Sequence, residues 1–231
     1  MIDLSNPVMK EVVDLVINST FDKTLTKLPT NSFIREYIYV DNDRYSDEST
    51  NCSKLMQSLE IRHEYTRYSF PILTDEFIVS LGALFKSLNI NKIVEINAGT
   101  GFLTYWMRKY GINIIDCIDN YSWEKDHFKQ NILTEVVNNF NSIHYVKNHR
   151  DIELFILSWP YMDQTAARIW NNMYKGQHLL YIGESDGGCT ANDKFFELTD
   201  KFEINNDKID KVNNNYLSFD SIHDRVRLYK K

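Results

Sequence analysis

Apolar positions change their period repeatedly along this chain. From residue 90 onward, short apolar runs of strand length alternate with stripes of helical spacing. The runs are Lys92–Ile96, Ile112–Asp119, Ile143–Lys147, Leu154–Ser158 and Leu179–Gly183. The stripes are Leu103–Tyr110; then Phe128, Ile132, Leu133, Val136 and Val137; then Ala166, Ile169, Trp170, Met173 and Tyr174, ended by Gly176; then Phe195, Phe196 and Leu198. The last segment, Ile222–Tyr229, alternates, with Val226 and Leu228 on one face and Arg225 and Arg227 on a face expected to meet solvent. Ahead of this series Thr74 is placed to cap a helix with Asp75 and Glu76 in its first turn and Phe77, Leu81, Leu84, Phe85 and Leu88 as its buried stripe. Strands alternating with helices predict an α/β fold, a mostly parallel central sheet with helices on both faces.

Residues 1–62 read as an N-terminal helical appendage or lid, and 63–231 as the main domain. Ser5 or Asn6 can cap a helix with Pro7 in its first turn, and Val8, Val12, Leu15 and Val16 share one face. Pro29 and Asn31 interrupt this pattern. Phe33–Val40 suits a short strand or a helix, and Asp41–Ser53 a polar loop. At the junction His63–Leu73 interleaves aromatics with charges, so Tyr68 and Phe70 either wall a ligand or pack in the core.

Composition narrows the picture. Hydrophobic residues at 43% and aromatics at 13% of 231 supply a full core and argue against global disorder. A formal charge of −6 lacks the broadly basic footprint of a nucleic-acid binder, although a nucleic-acid base remains open as a substrate. Three scattered cysteines, Cys52, Cys117 and Cys189, suit neither a disulfide framework nor a metal site. No targeting segment or membrane span is read, so a cytoplasmic location is expected.

The chemistry gathers at Ile93–Thr104. An apolar run ends at Glu95 and passes through Asn97-Ala98-Gly99-Thr100-Gly101 into a helical pattern. Such a strand–turn–helix lets a ligand approach the backbone, with amide donors expected to face it. Asp119 lies near the end of the next strand, where a carboxylate can accept ribose hydroxyls; Asp116 competes for that role because the register is open. The dehydrogenase fingerprint wants a third small residue where Thr104 stands, and Glu95 would repel a pyrophosphate, which places a nicotinamide dehydrogenase third among the readings. Asn97 tolerates left-handed backbone, so the turn can form without a glycine there. After the fourth strand comes Ser158-Trp159-Pro160-Tyr161. After the fifth, Gly183-Glu184 leads to Gly187-Gly188-Cys189-Thr190, with Glu184 as a polar contact and Cys189 as a weakly supported nucleophile. His223 is a candidate base, and His149, Arg150 and Asp151 are candidates to border an adenine.

The acid–loop–acid pattern resembles the Rossmann-like S-adenosylmethionine-dependent methyltransferases over about residues 70–230. The resemblance implies their fold, with about seven strands, and S-adenosylmethionine as cofactor. It implies cofactor binding by Glu95, Asn97, Ala98, Gly99, Thr100, Gly101 and Asp119. Ser158-Trp159-Pro160-Tyr161 resembles the motif with which amino-group methyltransferases hold a target nitrogen. By that resemblance Ser158 is the polar residue, Pro160 neighbours the carbonyl that accepts from the substrate, and Tyr161 is the stacking ring. Val94-Glu95 with Ala98-Gly99-Thr100-Gly101, Leu157-Ser158-Trp159-Pro160, Tyr181-Ile182-Gly183-Glu184 with Gly187-Gly188-Cys189-Thr190, and Ile222-His223-Asp224-Arg225 together resemble a little-characterised methyltransferase-like group. The expected function is methyl transfer to an unknown acceptor: an amino group of a small molecule, a protein or a nucleic-acid base. No metal and no membrane are expected as partners. The alternative, resting on Asn97 and Trp159, is a catalytically inactive binding module with this fold.

Overall fold

The computed structural model describes residues 27–38, 52–122, 131–133 and 135–231. The expected helix around 5–16, the polar stretch up to residue 51 and Phe128 lie outside them. Among the described residues the helices are α1 (Asn31–Tyr37), α2 (Cys52–Tyr65), α3 (Asp75–Ser87), α4 (Phe102–Lys109), α5 (Ser142–Asn148), α6 (Thr165–Asn172), α7 (Asp193–Thr199) and α8 (Asp207–Asn215). The strands are β1 (Ile93–Ile96), β2 (Ile114–Asp119), β3 (Asn138–Asn139), β4 (Leu154–Ser158), β5 (His178–Gly183) and β6 (Arg225–Lys230). They form one sheet of order β3-β2-β1-β4-β5-β6, parallel throughout except for the antiparallel β5–β6 pair. No helix among the described residues is long and apolar enough to cross a membrane.

The mostly parallel sheet with helices on both faces is as expected, and its strand residues divide by the two-residue period of a pleated sheet. Ile93, Leu154, Ile156, Leu180, Ile182, Val226 and Leu228 pack with α1 to α4 and α8. Val94, Ile96, Phe155, Leu157, Leu179, Tyr181 and Tyr229 pack with α5, α6 and α7 on the other face. Helix α3 begins as read, with the Thr74 hydroxyl accepting from the Phe77 amide at 3.3 Å. Residues 28–31 are tied to this body by the Leu28 amide on the Tyr110 hydroxyl at 2.9 Å and the Asn31 amide on Glu76 at 2.9 Å. Phe33 falls on a helix, which settles the strand-or-helix alternative for that stretch.

Several local expectations are corrected. The sheet has six strands, not about seven. Ile143–Lys147 is not a strand but most of α5. The Asn141 side chain caps it by accepting from the His144 amide at 3.0 Å, and Ser142, Tyr145 and Val146 form a buried face at helical spacing. The third strand is only Asn138–Asn139. The described residues of the expected helix through Ile132–Val137, 132–133 and 135–137, are turns and irregular backbone instead. Its Leu133, Val136 and Val137 are buried against Cys117 at the sheet edge, with the Leu133 amide on the Thr100 carbonyl at 2.9 Å. Helices α2 and α8 carry no stripe strong enough to read; α8 buries only Ile209 and Val212. Helix α2 runs across the 62/63 division, and its Ile61 and Tyr65 share the core of α3.

The face of β6 expected to meet solvent is covered in part: Arg225 is exposed, as expected, but Arg227 is not. Arg227 is 9% exposed and pairs with Glu203 at 3.1 Å, while the Ile204 amide donates to the Leu228 carbonyl at 2.7 Å, laying residues 203–204 along the outer edge of β6. Removing one member of a buried ion pair leaves the other charge desolvated. Glu203→Ala is therefore expected to cost about 3 kcal/mol, measured by urea unfolding, against a near-neutral Lys194→Ala at the exposed Lys194–Glu197 pair.

Candidate active site

A cavity of about 610 Å³ opens beyond the carboxyl ends of β1, β2 and β4. This is where chain direction reverses in a sheet of this order, and where open α/β sheets bind ligands. Its size lies within the range of small-molecule sites. Glu95, Asn97, Ala98, Gly99, Thr100, Asp119, Ser158, Pro160 and Tyr161 line it; Gly101 does not.

Glu95 is 2% exposed at the third position of β1. Its Oε2 accepts from the Thr104 amide at 3.0 Å, from the Thr104 hydroxyl and from the Cys117 thiol at 3.7 Å. Helix α4 starts at Gly101, which has no side chain to cap it, so Glu95 caps the helix from the neighbouring strand. Burial pushes the Glu95 carboxyl from an ordinary 4.5 up to about 7, against the Thr104 and Cys117 hydrogen bonds that pull it down; the Asp119 charge adds to the rise.

The loop that follows spends most of its amides inside the protein. Asn97 donates to the Ser142 hydroxyl at 3.1 Å, Ala98 to the Ile118 carbonyl at 3.1 Å, Gly99 to Asp119 Oδ2 at 2.8 Å and Gly101 to the Ala98 carbonyl at 3.0 Å. For these four the expectation that the donors face a ligand is corrected, which leaves the loop poorly furnished as an anion cradle of the kind a pyrophosphate needs. Asn97 does adopt the left-handed conformation, at φ 52°. The two loop glycines differ. A Cβ on Gly99 would meet nothing within 4 Å, whereas one on Gly101 would lie 2.3 Å from a Val137 methyl. Gly101 is thus small because Val137 fills its space, and Gly99 faces the opening.

Asp119, 2% exposed, accepts from Gly99 through Oδ2 and from the Tyr121 amide at 2.6 Å through Oδ1. Asp116 does not line the cavity; it accepts from the Cys117 amide at 2.8 Å and from the Asn138 side chain at 2.7 Å. Between the two carboxylates considered, the cavity holds Asp119. Residues 66–71 lie across the same loop, with the Thr100 hydroxyl donating to the Tyr68 carbonyl and Asn131 to that of Arg67 at 3.2 Å. Tyr68 and Phe70 both line the cavity, and Tyr68 also packs against the core.

On the far side Ser158 ends β4, Tyr161 is 62% exposed at the rim, and burial together with the charges of Asp119 and Asp163 raises its phenol. The Pro160 carbonyl accepts from the Ala191 amide at 3.1 Å. Trp159 also lines the cavity. Its ring stacks on Phe70 with ring centroids 4.9 Å apart, a contact for which the sequence carries no signal.

Other candidates fall elsewhere. His149, Arg150 and Asp151 precede β4 and so sit at the opposite end of the sheet, with His149 stacked on Tyr145 at 3.7 Å and Asp151 paired with Lys92 at 3.0 Å. Glu184 is buried, accepting from the Cys189 amide at 2.6 Å and the His223 amide at 3.1 Å; these donors hold its carboxyl below the ordinary range although burial pushes it up. Neither Glu184, Cys189 nor His223 lines the cavity. The Cys189 thiol is raised by the neighbouring Glu184 charge, which is contrary to a nucleophile's need.

No protein-family model and no curated protein matches the sequence. Among solved structures the fold is similar to an O-methyltransferase family protein from Burkholderia thailandensis, at 10% identity and a TM-score of 0.44, covering 76% of this chain and 60% of that one. It is similar to N-methyltransferase NodS from Bradyrhizobium japonicum, at 8% and 0.41, covering 67% and 93%. It is also similar to human N-acetylserotonin methyltransferase, at 13% and 0.40, covering 77% and 55%; the chain spans little more than half of that enzyme's length. At these scores, function has to be argued from the site itself.

Two predictions follow from the loop. Gly101→Ala combines a left-handed φ of 80° with the Val137 clash and is expected to cost about 3 kcal/mol, whereas Gly99→Ala, at φ 57° in open space, costs about 1 kcal/mol, both read by urea unfolding. Because the Glu95 carboxyl is raised, the folded state holds its proton more tightly than the unfolded chain between pH 4.5 and 7. The stability this confers is full below pH 4.5 and is lost as pH rises to about 7, on the order of 3 kcal/mol. Glu95→Gln should flatten that part of the stability–pH curve.

Proposed function

We propose that this chain is an S-adenosylmethionine-dependent methyltransferase. The observation that carries the reading is one continuous cavity holding Glu95, the open face of Gly99 and Asp119 at one end and Ser158–Tyr161 at the other. The donor set suits that cofactor better than a dinucleotide. Asp119 brings a carboxylate, the group that accepts from ribose hydroxyls, to the cavity wall, and Glu95 offers a carboxylate toward an amino group. The amides of Asn97, Ala98, Gly99 and Gly101, which a pyrophosphate would need, are engaged within the protein. The aromatic rings of Phe70, Trp159 and Tyr161 give a cationic centre favourable faces. Bound there, the cofactor supplies a sulfonium methyl group for in-line displacement.

The chain's own residues then position the reactants, which is much of what such a reaction requires. The 66–71 segment closes over the loop through Thr100. Ser158 is the polar group facing an acceptor, with an amino group favoured, and Tyr161 stacks beside it. Pro160, with its carbonyl held by Ala191, fixes the path of that loop. Asn97 and Trp159, on which the inactive alternative rested, both adopt left-handed backbone and leave the cavity open. No group of His, Cys, Asp or Glu that would hold a metal occurs among the described residues, and the proposal invokes none. Free thiols at Cys117 and Cys189 suit the cytoplasmic location proposed with it.

Calorimetry with S-adenosylmethionine and S-adenosylhomocysteine tests the reading, and absence of binding at millimolar ligand would overturn it. A ligand amino group beside Glu95 favours its ionised form. Affinity is therefore expected to tighten as pH rises from 6 to 8, with proton release on binding visible as a buffer-dependent heat. Asp119→Ala should weaken binding by about tenfold or more, because it removes both the ribose acceptor and the loop's tether.

A further inference from the structure

The acceptor end of the cavity carries a construction more elaborate than favourable ring faces for a cationic centre require. Trp159 is a bulky residue in left-handed backbone, at φ 48°, held by three restraints from three parts of the chain. Its amide donates to the Ile182 carbonyl at 2.8 Å. Its indole N–H donates to Asp224 Oδ2 at 2.8 Å. Its ring lies on Phe70, with centroids 4.9 Å apart and planes 13° from parallel. Asp224 is 6% exposed; the Tyr216 hydroxyl donates to the same oxygen, and Oδ1 is buried with no hydrogen-bond partner. A left-handed tryptophan and a half-satisfied buried carboxylate are both unfavourable. Such features persist where surrounding structure over-determines them, and they concentrate at functional sites.

We infer that Asp224 is a positioning residue that locks Trp159 against Phe70 as a fixed aromatic wall, and that this wall makes the site take planar aromatic or heteroaromatic acceptors. The inference rests on the methyltransferase reading only in calling this end of the cavity the acceptor end. Phe70 is 43% exposed and presents ring surface that a flat ligand extends by stacking. Because the wall is already assembled, little side-chain freedom is lost when a ligand adds to it. A saturated ring of equal size gains the burial but not the stacking.

The test uses the full chain without cofactor and two neutral probes of matched size, benzamide and cyclohexanecarboxamide, titrated by ligand-observed NMR. Benzamide is expected to bind about fivefold more tightly. Phe70→Leu, a half-exposed loop substitution, should abolish that preference. The Trp159 indole proton, assigned by its loss in Trp159→Phe, should exchange slowly in the wild type and in Asp224→Asn, which keeps an acceptor oxygen, and fast in Asp224→Leu. Equal affinity for the two amides overturns the proposal, as does a preference that survives Phe70→Leu or an indole proton as protected in Asp224→Leu as in the wild type. If Asp224→Leu fails to fold, the Phe70→Leu comparison decides. Calorimetry with S-adenosylhomocysteine on the same preparation separates the two readings. Amide preference without cofactor binding supports the wall and sinks the methyltransferase reading, and cofactor binding without amide preference does the reverse.

Discussion

The hydrogen bonds from Thr104 to Glu95 are the constraint on which the site depends. Helix α4 begins at a glycine in left-handed conformation and has no side chain of its own to cap it. A carboxylate from β1 takes that place, and in doing so it is buried beside Cys117 and close enough to Asp119 to feel its charge. The strand, the turn and the helix are thereby held as one unit. Desolvation raises the carboxyl, and the amide and hydroxyl of Thr104 keep it from rising further.

The rest of the loop follows from that unit. With α4 held to β1, residues 97–101 cross the gap in a tight path in which the amides of Asn97, Ala98, Gly99 and Gly101 are taken up by Ser142, Ile118, Asp119 and Ala98. The outcome is a rigid, acid-lined floor. It can accept hydroxyl and amino protons but has little to offer a phosphate. Val137 fills the space at Gly101, so the turns after residue 131 brace the loop from behind, while Gly99 stays open in front. Acids on the floor and aromatic rings on the opposite wall divide the cavity into two chemically distinct ends.

That opposite wall draws on distant parts of the chain. Phe70 comes from the segment before α3, Trp159 from the end of β4 and Asp224 from the approach to β6. The antiparallel last strand therefore does more than close the sheet edge, since it delivers the carboxylate that sets the indole.

Much was legible because it is local. Short apolar runs placed β1, β2, β4 and β5, Thr74 placed the start of α3, and the Glu95–Gly101 stretch with Asp119 announced the cavity's floor. Local reading failed where a short run suited strand and helix alike or apolar residues were few. Ile143–Lys147 has the length of a strand, yet the Asn141 cap and the Ser142–Tyr145–Val146 face make a helix. Helix α8 buries too little to show a stripe. What the sequence by itself determined was the layering of the fold and the acidic, small-residue turn at its centre, because periodicity and turn chemistry act between neighbours. Only the tertiary structure decided that Asp119 and not Asp116 faces the cavity, that Glu95 serves α4, that most of the loop amides are consumed, and that Trp159 stacks on Phe70. Each of these depends on register or on contacts between different elements of the fold, and no local pattern encodes them.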